Sequence, residues 1–296
     1  TIFKKIVDEK QKQLGVSISK STYGKYELVY RRLQEYIKQE YKNEDLPLYS
    51  IDDDFVNGFD IFLRVDKKVG HNATAKMLQK LKTATNYAQS HGMLQEDPFY
   101  DKKITFEEVE VPYLTLEELQ TIMEKNILND RLRRVRDVFV FSCFTGLAYS
   151  DTYFLTEEHL HKANDGKIWI KKPRQKTKVV ADIPLLEVPL QILEKYRGQQ
   201  TGGRLLPVCS NQKVNQYLKE LATVCGINKE LTYHVARYTF ATSLTLLHDV
   251  PMASIAKMLG HTNIRQTQHY AKATNILVGR SMQNLSEQLN LHMEVK

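Results

Sequence analysis

Two stretches in the last quarter of the chain decide how it is read: Thr232-Tyr-His-Val-Ala-Arg-Tyr-Thr-Phe-Ala241 and Leu259-Gly-His-Thr-Asn-Ile-Arg-Gln-Thr-Gln-His-Tyr-Ala-Lys272. The first holds a His-x-x-Arg, His234 and Arg237. On a helix these two lie at i and i+3 and project from one face. The second places His261 directly after a Leu-Gly pair and Tyr270 nine residues further on. Together they offer a hydroxyl nucleophile, two imidazoles and a guanidinium, with no acidic metal site among them. A tyrosine hydroxyl can attack a phosphodiester if cationic donors hold the phosphate and stabilise the charge it gains. Arg237 can donate two parallel hydrogen bonds to non-bridging phosphate oxygens. His234 can accept or donate a proton near neutral pH.

Working outward, the 296 residues allow two ordinary domains and a sizeable core. The balance of 42% hydrophobic and 26% charged residues is that of a globular protein. No apolar run approaches the roughly 18–20 residues needed to span a membrane, and no signal-peptide pattern opens the chain. Cys143, Cys209 and Cys225 are widely separated, which reads as reduced thiols in a cytosolic protein. His261 and His269 lack further ligands at zinc spacing, so neither a metal nor a cofactor is expected. The net charge is +7. Residues 1–112 hold 18 of the 42 Lys and Arg and 18 of the 35 Asp and Glu, leaving 24 and 17 for residues 113–296. The whole excess therefore lies in the part with the motifs, as suits a polyanionic partner.

The periodicity predicts a mostly α chain with a small β-sheet, an α+β fold in two domains, 1–112 and 113–296. Helices are expected over Tyr23–Ile37, after Ser50 with Asp52, Asp53 and Asp54 in the first turn, and over about Asn72–His91. The last carries a polar stripe: Asn72, Lys76, Gln79, Lys80, Thr83 and Asn86. Such a stripe can lie against DNA, with Lys76 and Lys80 on phosphates, or simply face solvent. The segment 96–113, with Pro98, Glu107, Glu108, Glu110 and Pro112, reads as a linker. Thr115 and Glu118 form a capping box for the next helix. A helix over about Asp130–Phe144 ends at Thr145-Gly146, and strands are expected over Lys167–Lys172 and Val179–Leu185 around a turn. Ser210 and Thr232 are candidate caps, Pro251 starts a helix and Gly260 closes it.

With the order of these motifs in hand, the chain resembles the tyrosine recombinases, the phage-integrase family of site-specific DNA recombinases. Thr145-Gly-Leu-Ala-Tyr-Ser-Asp151 is similar to the family's first box, in which Asp151 would support and orient active-site groups. That form of the box is similar to integrases of conjugative and mobilisable transposons of gut anaerobes. Members of that branch often carry a further amino-terminal arm-binding domain, whereas this chain starts in the core-binding module. Arg174-Gln-Lys176-Thr177 resembles the family's β-hairpin turn, which makes Lys176 the general acid toward the leaving 5′ oxygen and Arg174 a DNA contact. Lys172 and Lys178 are its neighbours and rivals. By the same resemblance His261 donates to the scissile phosphate and Tyr270 is the nucleophile.

The resemblance implies a helical core-DNA-binding domain plus a catalytic domain, closing as a clamp on double-stranded DNA. It also implies a 3′-phosphotyrosine intermediate formed without metal or ATP, a homo-tetramer on paired DNA sites, and accessory DNA-bending proteins as further partners. The expected setting is the bacterial cytoplasm, with no membrane partner. A carboxy-terminal helix with Ile276, Leu277, Met282, Leu285, Leu289 and Leu291 would pack on a neighbour or on its own core. One position departs from the pattern: Ala148 stands where the first box carries its arginine. Arg136, on the helix leading into Thr145-Gly146, is the candidate replacement, with an ion pair to Asp137 as the competing role. Two other functions stay open: a recombinase-like protein that binds DNA without cutting it, and a type IB topoisomerase-like relaxing enzyme.

Overall fold

The computed structural model describes residues 2–270 and 274–289, which divide into two compact units, Thr1–Val109 and Glu110–Lys296.

The first unit is helical among its described residues. It consists of α1 (Ile2–Lys12), α2 (Lys20–Glu40), α3 (Asp53–Arg64) and α4 (His71–Ser90). Ser19 caps α2 by accepting from the Thr22 N–H at 3.2 Å, and Asp52 caps α3 by accepting from Phe55 at 2.9 Å. The first of the three acids is thus the cap itself, and Asp53 and Asp54 follow in the first turn. Val29, Leu33, Tyr36 and Ile37 of α2 pack with Phe55, Val56, Phe59, Phe62 and Leu63 of α3 and Leu78, Leu81 and Ala84 of α4. On α4, Lys76, Gln79, Thr83 and Asn86 are exposed, and the Lys80 ammonium lies 5.6 Å from the centroid of the Tyr26 ring. Asn72 leaves the expected stripe, because its side-chain amide is bonded to the backbone of Glu107.

The second unit is built around α6 (Asp130–Thr145), whose Val138–Cys143 stretch is buried on every side. A helix buried all round has neighbours on all faces, and α6 packs on α5 (Leu116–Glu124), α8 (Glu187–Lys195), α9 (Asn211–Cys225) and α10 (Tyr233–Thr239). Thr115 and Glu118 close a reciprocal capping box on α5. Gly146 ends α6 at φ 65°, and a Cβ there would lie 2.5 Å from Phe240 and 2.7 Å from Leu259, so the break needs glycine on two counts. A short α7 (Tyr149–Tyr153) follows, then an antiparallel sheet in the order β1 (Leu160–Lys162), β2 (Ile168–Pro173), β3 (Val180–Pro184). Pro173 pairs with Val180, so residues 174–179 form the turn. Beyond α10 the chain continues as a π-helical turn, Phe240–Thr245, then α11 (Met252–Leu259), α12 (Arg265–Gln268) and α13 (Thr274–Leu289). Thr232 occupies the cap position of α10, but its side chain makes no capping hydrogen bond there.

Candidate active site

Four elements of the second unit bring their polar side chains together. Arg237, on α10, is 3% exposed. Its Nη1 donates to the Gly146 carbonyl at 2.6 Å and its Nη2 to the Leu259 carbonyl at 2.6 Å. The left-handed glycines that end α6 and α11 thus leave their last carbonyls aimed at one guanidinium. Burial lowers the pKa of Arg237, and the charge and hydrogen bond of Tyr270 work against that shift.

His261 sits where α11 ends. Its Nε2 lies 3.0 Å from Arg237 Nη2 and its Nδ1 2.8 Å from the buried Thr267 hydroxyl. A guanidinium only donates, so Nε2 accepts and Nδ1–H donates to Thr267. Burial, then the charges of Arg237 and Arg174, push the imidazole pKa down to about 4, which keeps the ring neutral. Tyr270 is 7% exposed. Its ring stacks on His261 with centroids 6.0 Å apart, and Tyr238 meets it edge-on at 4.7 Å. His234 stands at the exposed rim, edge-on to Tyr238 at 5.1 Å. The surrounding protein, then Arg237, Arg174 and Lys176, hold its pKa below the usual imidazole value.

The hairpin supplies the second guanidinium. Arg174 Nε lies 3.6 Å from Asp151 Oδ2, and its Nη1 approaches the Gly260 carbonyl at 3.4 Å. Asp151 is 2% exposed and also accepts the Gln175 N–H at 2.8 Å, so one buried carboxylate holds both the turn and its arginine. Arg174 Nε is buried with no hydrogen-bond acceptor among the described residues. The Arg174 charge acts on His234, Arg237 and His261 alike. Arg174 was expected only as a DNA contact; it stands beside the groups it was to accompany. Its signal in the sequence was its place two residues before Lys176 at the end of a strand.

Of the two roles expected for Arg136, its placement fits the ion pair with Asp137: it does not join this cluster. Its Nε pairs with Asp137 Oδ1 at 3.0 Å and its Nη1 donates to the Lys125 carbonyl at 3.0 Å. The buried Asp137 holds it toward the end of α5, in a structural ion pair. Lys176 is exposed in the turn. Lys172 is 2% exposed, donates to the Phe154 carbonyl at 2.7 Å and lies 2.9 Å from His159 Nε2, and burial lowers its pKa. Lys178 is exposed at φ 62°. Thr267, bonded to His261 Nδ1, is the threonine of the Leu259-Gly-His-x-Asn-Ile-x-x-Thr-x-x-Tyr270 pattern, which gave its place but not its partner. Among the described residues no three His, Cys, Asp or Glu side chains cluster so as to hold a metal ion, and no helix is long and apolar enough to cross a membrane.

The chain that gathers these cations and Tyr270 around α10, the β-hairpin and the end of α11 matches known families over residues 1–275. Residues 1–114 match the phage integrase SAM-like domain and residues 112–275 the phage integrase family. The chain belongs to that family, the tyrosine recombinases, which cut and rejoin DNA at specific sites. It is 25% identical over 236 residues to the tyrosine recombinase XerD of Listeria monocytogenes, covering 74% of this chain and 77% of the relative. Its fold is similar to that of the Tn1549 transposon integrase solved with transposon right end DNA (TM-score 0.71, 18% identity, 97% of this chain and 99% of that one). It is also similar to that of lambda integrase solved as a tetramer on a Holliday junction (TM-score 0.68, 17% identity, 90% and 76%).

Proposed function

We propose that Tyr270 is the nucleophile of strand exchange, that Arg237 and Arg174 receive the scissile phosphate, and that the neutral His261 holds the Arg237 guanidinium in place. The tyrosine oxygen forms a bond to phosphorus and the bond to the 5′ oxygen breaks, leaving a 3′-phosphotyrosine. The departing 5′ oxygen takes a proton from Lys176, and the phenolic proton passes to one of the imidazoles, both of which are held neutral. The 5′ hydroxyl of the partner strand then attacks the phosphotyrosine and releases Tyr270. One phosphoester replaces another at each step, so no ATP is consumed. The carrying observation is Arg174: a half-buried guanidinium whose Nε is held by the charge of Asp151 without a hydrogen bond, and whose charge acts on Arg237 and His261. The pentacoordinate phosphorus gains negative charge, and two preorganised guanidiniums stabilise it. With Arg174 present, alanine at 148 is no argument for a protein that binds DNA without cutting it.

Lys76 and Lys80 of the first unit are assigned to backbone phosphates of the same duplex, an electrostatic role without sequence preference. Val278, Met282, Leu285 and Leu289 are exposed at helical spacing on α13, which supports packing of that helix on a second copy in a tetramer. Leu291 lies outside the described residues, as do the side chains of Ile276 and Leu277. The test is a suicide DNA substrate that traps the covalent complex, followed by mapping of the modified residue. Tyr270→Phe is expected to abolish the adduct and leave DNA binding within about threefold, since only a hydroxyl is lost. An adduct on Tyr238, or one that survives in Tyr270→Phe, would overturn the assignment.

A further inference from the structure

The segment between the two units is stitched at each end, and one of the stitches is made by the element that carries His234 and Arg237. At the first end, Asn72 Nδ2 donates to the Glu107 carbonyl at 2.8 Å and Asn72 Oδ1 accepts the Glu107 N–H at 2.9 Å. His71 Nε2 meets the Thr105 carbonyl at 3.0 Å close by. At the second end, the fully buried Leu114 has both backbone groups satisfied by side chains. Its N–H donates to Thr239 Oγ1 at 3.0 Å and its carbonyl accepts from the Ser243 hydroxyl. Lys229 holds the preceding carbonyl, that of Tyr113, at 2.9 Å.

Thr239 lies two residues beyond Arg237 and itself donates to the Val235 carbonyl of α10 at 2.9 Å. Ser243 lies in the π-helical turn that follows. A π turn carries weaker, displaced hydrogen bonds and is a recurrent place for a helix to yield. From Glu107 to Tyr113 the backbone spans no more than roughly 20 Å even when fully extended. A tether this short, anchored by side chains at both ends, limits how far those ends can separate before the pull reaches the anchoring residues.

We propose that Thr239 and Ser243 are positioning residues: through Leu114 they join the interdomain segment to the element bearing His234 and Arg237, with Asn72 fixing the far end. Engagement of DNA by both units then sets the tension on that element and seats the guanidinium. This rests on the reading of Arg237 as a phosphate ligand. A displacement of about an ångström at a reacting centre costs on the order of a hundredfold in rate, so a small pull suffices.

The test uses the full chain with two readouts. The first is the single-turnover rate of covalent complex formation at saturating DNA, with DNA affinity measured in parallel. The second is amide exchange of residues 233–243 with and without DNA, which does not require cleavage. Three changes loosen the joint: Gly-Ser pairs inserted after the exposed Val109, Asn72→Ala, and Thr239→Val. Each is expected to slow cleavage by about tenfold or more while affinity moves by less than about threefold. Each should also abolish the extra protection that DNA gives residues 233–243. Thr239→Ser, which keeps the hydroxyl, should restore both. The insertions touch no core residue, so a fold defect in Thr239→Val does not decide the matter. Unchanged DNA-induced protection in the inserted chains would overturn the proposal. So would cleavage at the parent rate. A parent chain that forms no covalent complex, yet shows DNA-induced protection lost on insertion, would instead refute the assignment of Tyr270 and leave the joint standing.

Discussion

Arg136 and Arg174 are each held beside a buried aspartate, and what else those aspartates bind separates the two regions. Asp137 accepts from Arg136, from Lys195 Nζ at 2.6 Å and from the Tyr196 hydroxyl at 2.8 Å. That region is a closed knot tying α6 to α8, in which every partner is protein. Asp151 accepts a backbone N–H of the hairpin and lies 3.6 Å from Arg174, whose Nε has no hydrogen-bond acceptor among the described residues. Arg136 places its Nε on a carboxylate and its Nη1 on a backbone carbonyl at the end of α5. Arg174 is held mainly by charge and keeps hydrogen-bonding capacity, which supports its proposed role toward an anion.

The comparison can be broken by experiment. If the hairpin is the working region, Lys176→Ala should slow cleavage of ordinary DNA by about 10²–10⁴-fold. A substrate with sulfur at the bridging 5′ position needs little protonation and should recover most of that loss. Equal defects on both substrates would reduce Lys176 to a phosphate contact. Arg174→Ala should cost about 10²–10³-fold in covalent complex formation, the range for one preorganised donor to a developing charge, and Ala148→Arg in that background should return part of it. Arg136→Ala should cleave at nearly the parent rate and instead lower unfolding stability by about 1–3 kcal/mol, because Asp137 loses a charged partner. A cleavage defect in Arg136→Ala matching that of Arg174→Ala would erase the distinction.

The smallest effect concerns pH. The folded-state pKa of His261 is about 4 against an ordinary 6.5. Between those values the unfolded chain binds a proton that the folded one refuses, so stability falls as pH drops from about 6.5 to about 4. His261→Gln should flatten that part of the profile relative to the parent, read by denaturant melts at each pH. Parallel profiles would place the His261 pKa near its ordinary value.

What could be read in advance followed from local rules. Asp52, Thr115 and Gly146 are start and stop residues whose chemistry acts within a turn of helix, and the helices begin and end at them; Ser19, whose cap starts α2 at Lys20, three residues before the expected Tyr23, was missed. Arg237, His261 and Tyr270 lie on neighbouring short elements, so their spacing carried much of their proximity. What was hidden depends on contacts between distant parts of the chain. Arg174 reaches Gly260 and Asp151 only once the hairpin is folded against α11. Asn72 looked like one more polar residue on an exposed stripe, yet its partner is a backbone 35 residues away. Arg136 stayed open between two roles because apolar neighbours in sequence do not say which way a side chain turns. The three-residue β1 has too few residues to show alternation.

Gly260 sets the room in which the hairpin arginine lies. A Cβ at this position would lie 2.7 Å from Arg174 Cδ and 3.3 Å from the Val179 carbonyl, on a backbone at φ 59°. The space that admits the guanidinium is the space a side chain at 260 would fill. Any side chain at 260 would therefore have to displace Arg174 as well as strain the backbone, so a Gly260→Ala chain would lose the present seat of the hairpin arginine.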